Sequence, residues 1–273
     1  MKQIELEELK VLQMDILSAV HQFCLEHGLR YSLACGTMLG AARHKGYIPW
    51  DDDIDIYLLR EDYNRMMTEF PDLLDRKYKF CTLERTKHWS LPYGKVVDTR
   101  TLLYEGDEHD DNMGVNIDVF PIDNVPDDEY EWEKYDKKRR NLYYLYDLRK
   151  YLHIFRANKE KSIMRNMFAI FVKLLIYTVS KRYLARVFQK MAIKYNGKET
   201  VRVFECVQGI YQKHPFPKSL FNNRIMMPFE DRQYMCFADY DAYLTNGFGN
   251  WRELPPVEKR VSHHSFTAWW KSN

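Results

Sequence analysis

The sequence lacks the means for a disulfide framework. Its five cysteines, at positions 24, 35, 81, 206 and 236, are odd in number, and no two are spaced as C-x-x-C. That argues against both a disulfide scaffold and a zinc knuckle, and it fits a reducing compartment. An export signal is missing too. The chain opens MKQIELEELKVLQ, with charges where a signal peptide needs an apolar stretch, so a cytoplasmic location is expected. Long apolar runs are also absent. The run MFAIFVKLLIYTV at 167–179 is shorter than the roughly 20 residues a bilayer span requires, and Lys173 interrupts it. It reads as a buried helix, or as a helix lying on a membrane surface with help from flanking cations. There is no internal repeat, no low-complexity linker and no nucleic-acid-binding motif.

What is present is enough for a folded core. Hydrophobic residues make up 45% of 273 positions, so disorder is not the default. Twenty tyrosines raise the aromatic share to 15%, which offers stacking surfaces for a base, a sugar or a cationic head group. The net charge of +2 hides an asymmetry: from Lys134 to Lys194 there are 17 Lys or Arg against three acids. That stretch is a solvated helical face or a surface for an anionic lipid or lipid-linked glycan. Nucleic acid is not expected as a partner.

Periodicity outlines an α+β chain with a mixed sheet flanked by helices and an appended basic helical region. Leu9, Leu12, Ile16, Val20 and Phe23 predict a helix over 4–27, stopped by Gly28. A short strand at Tyr31–Cys35, a Gly36-Thr37 turn and a short helix from Met38 to Arg43 come next. Alternation over Asp53–Leu58 suits a strand, and 61–75 looks helical. Further strands are expected near 78–83, 93–98, 101–105 and 115–120, the last ending at Pro121. The pattern turns helical, basic and Tyr-rich from 127 to about 195. This gives three parts: a core over 1–126, a basic helical region over 127–200 for an acceptor or a membrane surface, and a segment over 201–273 that packs back on the core.

The chemistry concentrates in CGTMLGAARHKGYIPWDDDIDIYL, residues 35–58. Alternate side chains of a strand share a face, so Asp53 and Asp55 point one way while Ile54 and Ile56 point into the core. Two adjacent carboxylates repel, and a divalent cation relieves that cost. A metal so held can neutralise charge during phosphoryl transfer. A solvated acidic loop is the bland alternative. An EF-hand fails because its sixth position, which needs Gly, is Ile56. Upstream, the Gly36-Thr37 turn offers backbone N–H groups and a hydroxyl to a phosphate, with Arg43, His44 and Lys45 close behind. NIDVFPID at 116–123 supplies Asp118 between Ile117 and Val119, where an acid is costly unless paired or ligating. Asp118 is preferred over Asp123, which follows Pro121 and reads as loop. It can complete a metal shell or take a proton as general base.

These residues carry a family resemblance. YSLACGTMLGAARHKGYIPWDDDIDI resembles the signature of the LicD family of phosphocholine transferases, whose distant members include fukutin and fukutin-related protein. KVVDTRTLL at 95–103, NIDVFPID at 116–123 and FGNWRELPPVEKRVSHH at 248–264 extend the likeness over most of the chain. The resemblance implies a nucleotidyltransferase fold, magnesium or manganese as cofactor, and CDP-choline or a related CDP-alcohol as donor. The acceptor it implies is a sugar hydroxyl of a cell-surface glycan, with CMP leaving. Its motif positions fall on Gly36, Thr37, Asp53, Asp55 and Asp118, the three aspartates being the expected metal and catalytic set.

Around that set, Trp50 is an expected substrate contact. With Tyr47, Trp89 and Tyr93 it is also a candidate for an aromatic cage around a quaternary ammonium. Lys95, Arg260, His263 and His264 are candidates for phosphate or acceptor contact. Two other readings compete: nucleotidyl transfer with pyrophosphate leaving, and a non-catalytic scaffold on the membrane that binds anionic glycolipid through 134–194.

Overall fold

The computed structural model of the chain describes residues 1–105, 113–150, 167, 171, 175–208, 212–261 and 266–272. The acidic loop 106–112, His263, His264 and, within the apolar run, 168–170 and 172–174 lie outside those residues.

The first helix follows its apolar spacing. α1 (Leu6–Glu26) buries Leu9, Leu12, Ile16, Leu17, Val20 and Phe23 along one face. Gly28, at φ 62, takes the left-handed backbone that turns the chain out of it. The expected helix start at residue 4 is corrected: Lys2–Ile4 forms strand β1, because the C-terminal strand pairs with it.

After β2 (Tyr31–Leu33) and α2 (Cys35–Arg43) come β3 (Asp55–Leu59) and α3 (Arg60–Glu69). Then follow β4 (Tyr78–Cys81), β5 (Gly94–Asp98), β6 (Thr101–Glu105) and β7 (Asn116–Asn124). The central sheet runs β2-β3-β7-β5-β4. β3 and β7 are parallel, and the other pairs along it are antiparallel. β8 (Arg202–Phe204) joins the far end of β7, and β9 (Phe216–Pro217) joins β8.

Two strand expectations change. β3 is buried along its whole length instead of alternating. It lies between two neighbours, with Tyr57 covered on one face and Ile56 on the other, so both faces are core. β7 does not stop at Pro121 but continues to Asn124. Asp118 N–H bonds Ile54 O at 2.8 Å, which puts even-numbered amides of β7 toward β3 and odd-numbered ones toward β5. The β5 ladder ends at Gly94↔Val119, so the missing N–H of Pro121 breaks no bond. Asp123 is therefore not a loop residue. It is fully buried in β7, in a two-point contact with Arg60 at 2.7 and 2.8 Å and a third bond from Asn196 at 2.6 Å.

The C-terminal residues add edges and covers. β10 (Arg224–Phe229) and β11 (Arg232–Phe237) form a hairpin. β12 (Phe266–Trp270) pairs with β1 and β6 in a three-stranded sheet. The basic region contains α4 (Glu129–Lys150) and α5 (Lys181–Ala192), followed after β11 by α6 (Tyr240–Phe248). Tyr143 and Tyr146 of α4 meet Phe188 of α5 at 5.9 and 6.3 Å. Arg182 ties α5 to the loop before β5, donating to Thr86 O and Trp89 O at 2.8 Å. Among the described residues, no helix is long and apolar enough to cross a membrane.

Candidate functional site

The site is organised by how closely the loop 44–53 can lie along α2. Gly36 and Gly40 are one turn apart and share a helix face. A Cβ on Gly40 would sit 2.4 Å from Gly46 O, and one on Gly36 would sit 2.6 Å from Asp51 Oδ2. Any larger residue would push the loop away. Asp51 is thereby held against the first turn of α2, where unpaired helix N–H groups favour an anion. Gly36 and Thr37 belong to this helix, which starts at Cys35; the expected turn before Met38 is corrected.

Four bonds then fix the acidic segment. Asp55 N–H donates to Thr37 Oγ1 at 2.8 Å. Gln13, reaching from α1, donates to Asp52 O at 2.9 Å and accepts from Tyr47 OH at 2.9 Å. Glu230, in the β10–β11 turn, accepts from Tyr47 N–H at 2.8 Å. The sequence reading passed over Gln13 and Glu230. Gln13 did carry a signal, being a polar residue inside the apolar stripe of α1, whereas Glu230 carried none.

Strand register brings the remaining acids together. Asp55 of β3 lies opposite Asp118 of β7, and Asp118 lies opposite Lys95 of β5. The three form a row across adjacent strands. Lys95 is ion-paired with Asp118 and donates to Asn116 Oδ1 at 3.0 Å. Asp55 is held well above the ordinary carboxylate range, first by burial and then by repulsion from Asp53, Asp118 and Asp51; Lys95 opposes the rise. The ligand atoms of Asp51, Asp52 and Asp53 also lie within 4.8 Å of one another. Acid is thus concentrated beyond what one lysine neutralises, and all the donors are hard oxygens of the type magnesium and manganese take. The residues fit a divalent cation.

The expected cations gather at the other end of α2. Arg43 donates to Trp251 O at 2.8 Å, to Glu253 O at 3.1 Å and to His44 Nε2 at 3.0 Å. Arg260 lies over the Trp50 ring, 5.7 Å from its centre, and the His44 ring meets the same tryptophan at 6.4 Å. Burial, and then Arg43, lowers the His44 pKa below its usual value. Arg43, His44, Trp50 and Arg260 therefore form one cluster drawn from two distant stretches of chain. Lys45 stands apart: it is exposed, at φ 59, with its backbone carbonyl bonded to Glu230 N–H.

The aromatic candidates divide. Trp89 is core, 1% exposed, with its indole N–H on Tyr93 O. Tyr47 is also buried, its hydroxyl engaged by Gln13. Trp50 and Tyr93 are partly buried, and the Tyr93 ring lies tilted against Phe120, centres 4.5 Å apart, with the Lys95 ammonium 5.9 Å from its centre. A depression of about 430 Å³ lined by Lys10, Met14, Tyr47 and Glu230, among others, contains the cage candidate Tyr47 but none of the residues expected to hold metal or phosphate.

Comparison with known proteins gives this geometry a context. The family model described as LicD/FKTN/FKRP, nucleotidyltransferase domain, matches residues 28–151. The chain is 32% identical to the lipopolysaccharide cholinephosphotransferase LicD of Haemophilus influenzae over 97% of both chains. It is 31% identical to mouse ribitol 5-phosphate transferase FKRP over 35% of this chain and 17% of that protein. An uncharacterized protein of Rickettsia typhi is 33% identical over 26% of this chain and 25% of its own.

Proposed function

The chain belongs to the LicD family, and from that premise we propose that it is a metal-dependent transferase of the nucleotidyltransferase fold. It moves phosphocholine from CDP-choline to a sugar hydroxyl of a cell-surface glycan. The similarity to a lipopolysaccharide cholinephosphotransferase favours a lipopolysaccharide-type acceptor. The observation that carries the reading is the row Asp55–Asp118–Lys95 across three strands, with Asp53 and Asp51 repelling Asp55 from the loop side.

In this reading Asp53, Asp55 and Asp118 hold magnesium or manganese. The ion, when bound, offsets the charge of the diphosphate and of the transition state. The protein's own groups do the rest. The hydroxyl oxygen of the acceptor bonds to the choline-side phosphorus, the bond from that phosphorus to the bridging oxygen breaks, and CMP leaves. Asp118 receives the hydroxyl proton, and its ion pair with Lys95 aims that carboxylate beforehand. The first turn of α2, with Thr37 in it, lies beside the acids and orients phosphate oxygens. Arg43, His44 and Arg260 flank Trp50, where a cytidine ring can stack and its phosphates find cations.

The test is CMP release from CDP-choline with magnesium and a glycan acceptor, together with the mass of the product. The wild type adds one phosphocholine. Asp53→Asn and Asp55→Asn each lower the rate by at least about a hundredfold. A product that gains a nucleoside, or activity that survives both substitutions, refutes the reading.

A further inference from the structure

The basic helices have more charge than the proposed chemistry uses. Between Lys161 and Lys198 there are nine Lys or Arg and not one Asp or Glu. An ordinary solvated surface intersperses the two signs. The described part of this stretch also has a definite orientation. α5 buries Leu184, Ala185, Phe188 and Ala192 against the body of the protein. Its opposite side exposes Tyr183, Arg186 and Lys190, continued by Ile193 and Lys194. Just before it, Phe171 and Leu175 are helical and 56% and 55% exposed. Cations with no acid near them in sequence and large apolar side chains thus face water on the same short piece of chain.

We propose that this face docks the protein on an anionic lipid bilayer, lying flat on it without crossing it. Both halves of the observation are needed to choose that partner. Cations alone would suit any polyanion, including nucleic acid, but a polyanion gives Phe171, Leu175 and Ile193 nothing to bury against. An apolar patch alone would suit a second copy of the chain, but two such faces would bring like charges together. An anionic bilayer accepts both, with the rings and leucine entering the headgroup boundary and the cations meeting lipid phosphates. The site and the docking face are mechanically joined. Arg182 of α5 and Tyr146 of α4 hold the loop at 83–90, with Tyr146 OH on Ser90 O at 2.9 Å, and that loop leads into Tyr93 and Lys95.

The experiment is co-sedimentation of the whole chain with vesicles of phosphatidylcholine alone, or of phosphatidylcholine with phosphatidylglycerol. It needs neither donor nor turnover, so it can fail independently of the proposed reaction. Binding is expected only with the anionic vesicles, at least about tenfold tighter, and weakened by salt. Leu175→Glu with Tyr183→Glu, and separately Arg186→Glu with Lys190→Glu, each weaken it by at least about tenfold. All four positions are exposed, so both pairs keep the wild-type melting temperature; should one pair lose it, the other decides. Equal binding to both vesicle types, no binding, or binding untouched by both pairs overturns the proposal. So does a dimer in solution that Leu175→Glu with Tyr183→Glu dissolves, or nucleic acid bound as tightly as the anionic vesicles.

Discussion

Gln13→Leu should destabilise the fold and the acidic segment together, although Gln13 lies 39 residues from the nearest acid it touches. The side chain is 2% exposed and makes two good bonds, to Asp52 O and from Tyr47 OH. A third, to Asn116 O at 3.4 Å, is too long to count for much. Leucine fills similar space but takes a hydrogen-bond partner away from a buried hydroxyl and from a backbone carbonyl. Each lost bond costs about 1–3 kcal/mol, so the two together cost roughly 2–6 kcal/mol. For a chain of this size the melting temperature drops by roughly 2–4 °C per kcal/mol. Urea unfolding measures the stability, and CMP release well below the transition measures the site. Gln13→Glu separates the two bonds: it keeps the acceptor for Tyr47 but faces Asp52 O with an oxygen instead of an N–H. If positioning Asp52 matters to turnover, Gln13→Glu loses rate at a temperature where it is fully folded. A Gln13→Leu variant within about 0.5 kcal/mol of wild type, with unchanged turnover, refutes the reasoning.

Three further outcomes follow from the same contacts. Gly36→Ala places a Cβ 2.6 Å from Asp51 Oδ2 and displaces that carboxylate, so turnover should fall by more than about tenfold while urea stability changes little; unchanged turnover would contradict the packing argument. Arg60→Leu leaves the Asp123 carboxylate fully buried with only Asn196 for support, at a cost of about 3–5 kcal/mol; Arg60→Leu with Asp123→Leu should recover most of that loss in urea titrations. Lys95→Met removes the cation that offsets Asp118 and Asp55, so the variant should melt lower than wild type in EDTA and gain more from magnesium. An identical magnesium response in both proteins would count against a metal site there.

Much of the fold was legible where one physical signal sufficed. The apolar spacing of α1 and the turn at Gly28 were visible in the sequence. The α+β character and the strands over Tyr78–Cys81, Gly94–Asp98 and Thr101–Glu105 were visible as well. What was hidden depends on partners. Pro121 looks like a strand end until β5 is seen to stop at Gly94, and Asp123 looks like loop until Arg60 is found beside it. Ile4 reads as the start of a helix because β12, the partner of the strand Lys2–Ile4, lies at the other end of the chain. Within the site, Asp53, Asp55 and Asp118 were individually visible, but the Lys95–Asp118 pair belongs to a ladder, and no local pattern encodes it. Trp89 and Tyr47 resembled ligand contacts because aromatics near a motif do; both are core rings whose polar ends are satisfied by Tyr93 O and Gln13.

The same dependence explains why the acids can tolerate one another. Asp55 and Asp118 repel, and nothing in their own strands would hold them side by side. The register that does so is set by what lies next to them: Ile54, Ile56, Ile117 and Val119 are all fully buried. Sliding β3 by one residue against β7 would separate the two carboxylates, but it would also turn Ile54 and Ile56 from core toward the site, because side chains alternate along a strand. Burial of these two aliphatic side chains, each stabilising by about 1.5–3 kcal/mol, outweighs a repulsion that Lys95 already reduces. The hydrophobic core thus fixes the spacing of the charges, and the repulsion it forces on Asp55 is the feature that suits this corner of the sheet to a cation.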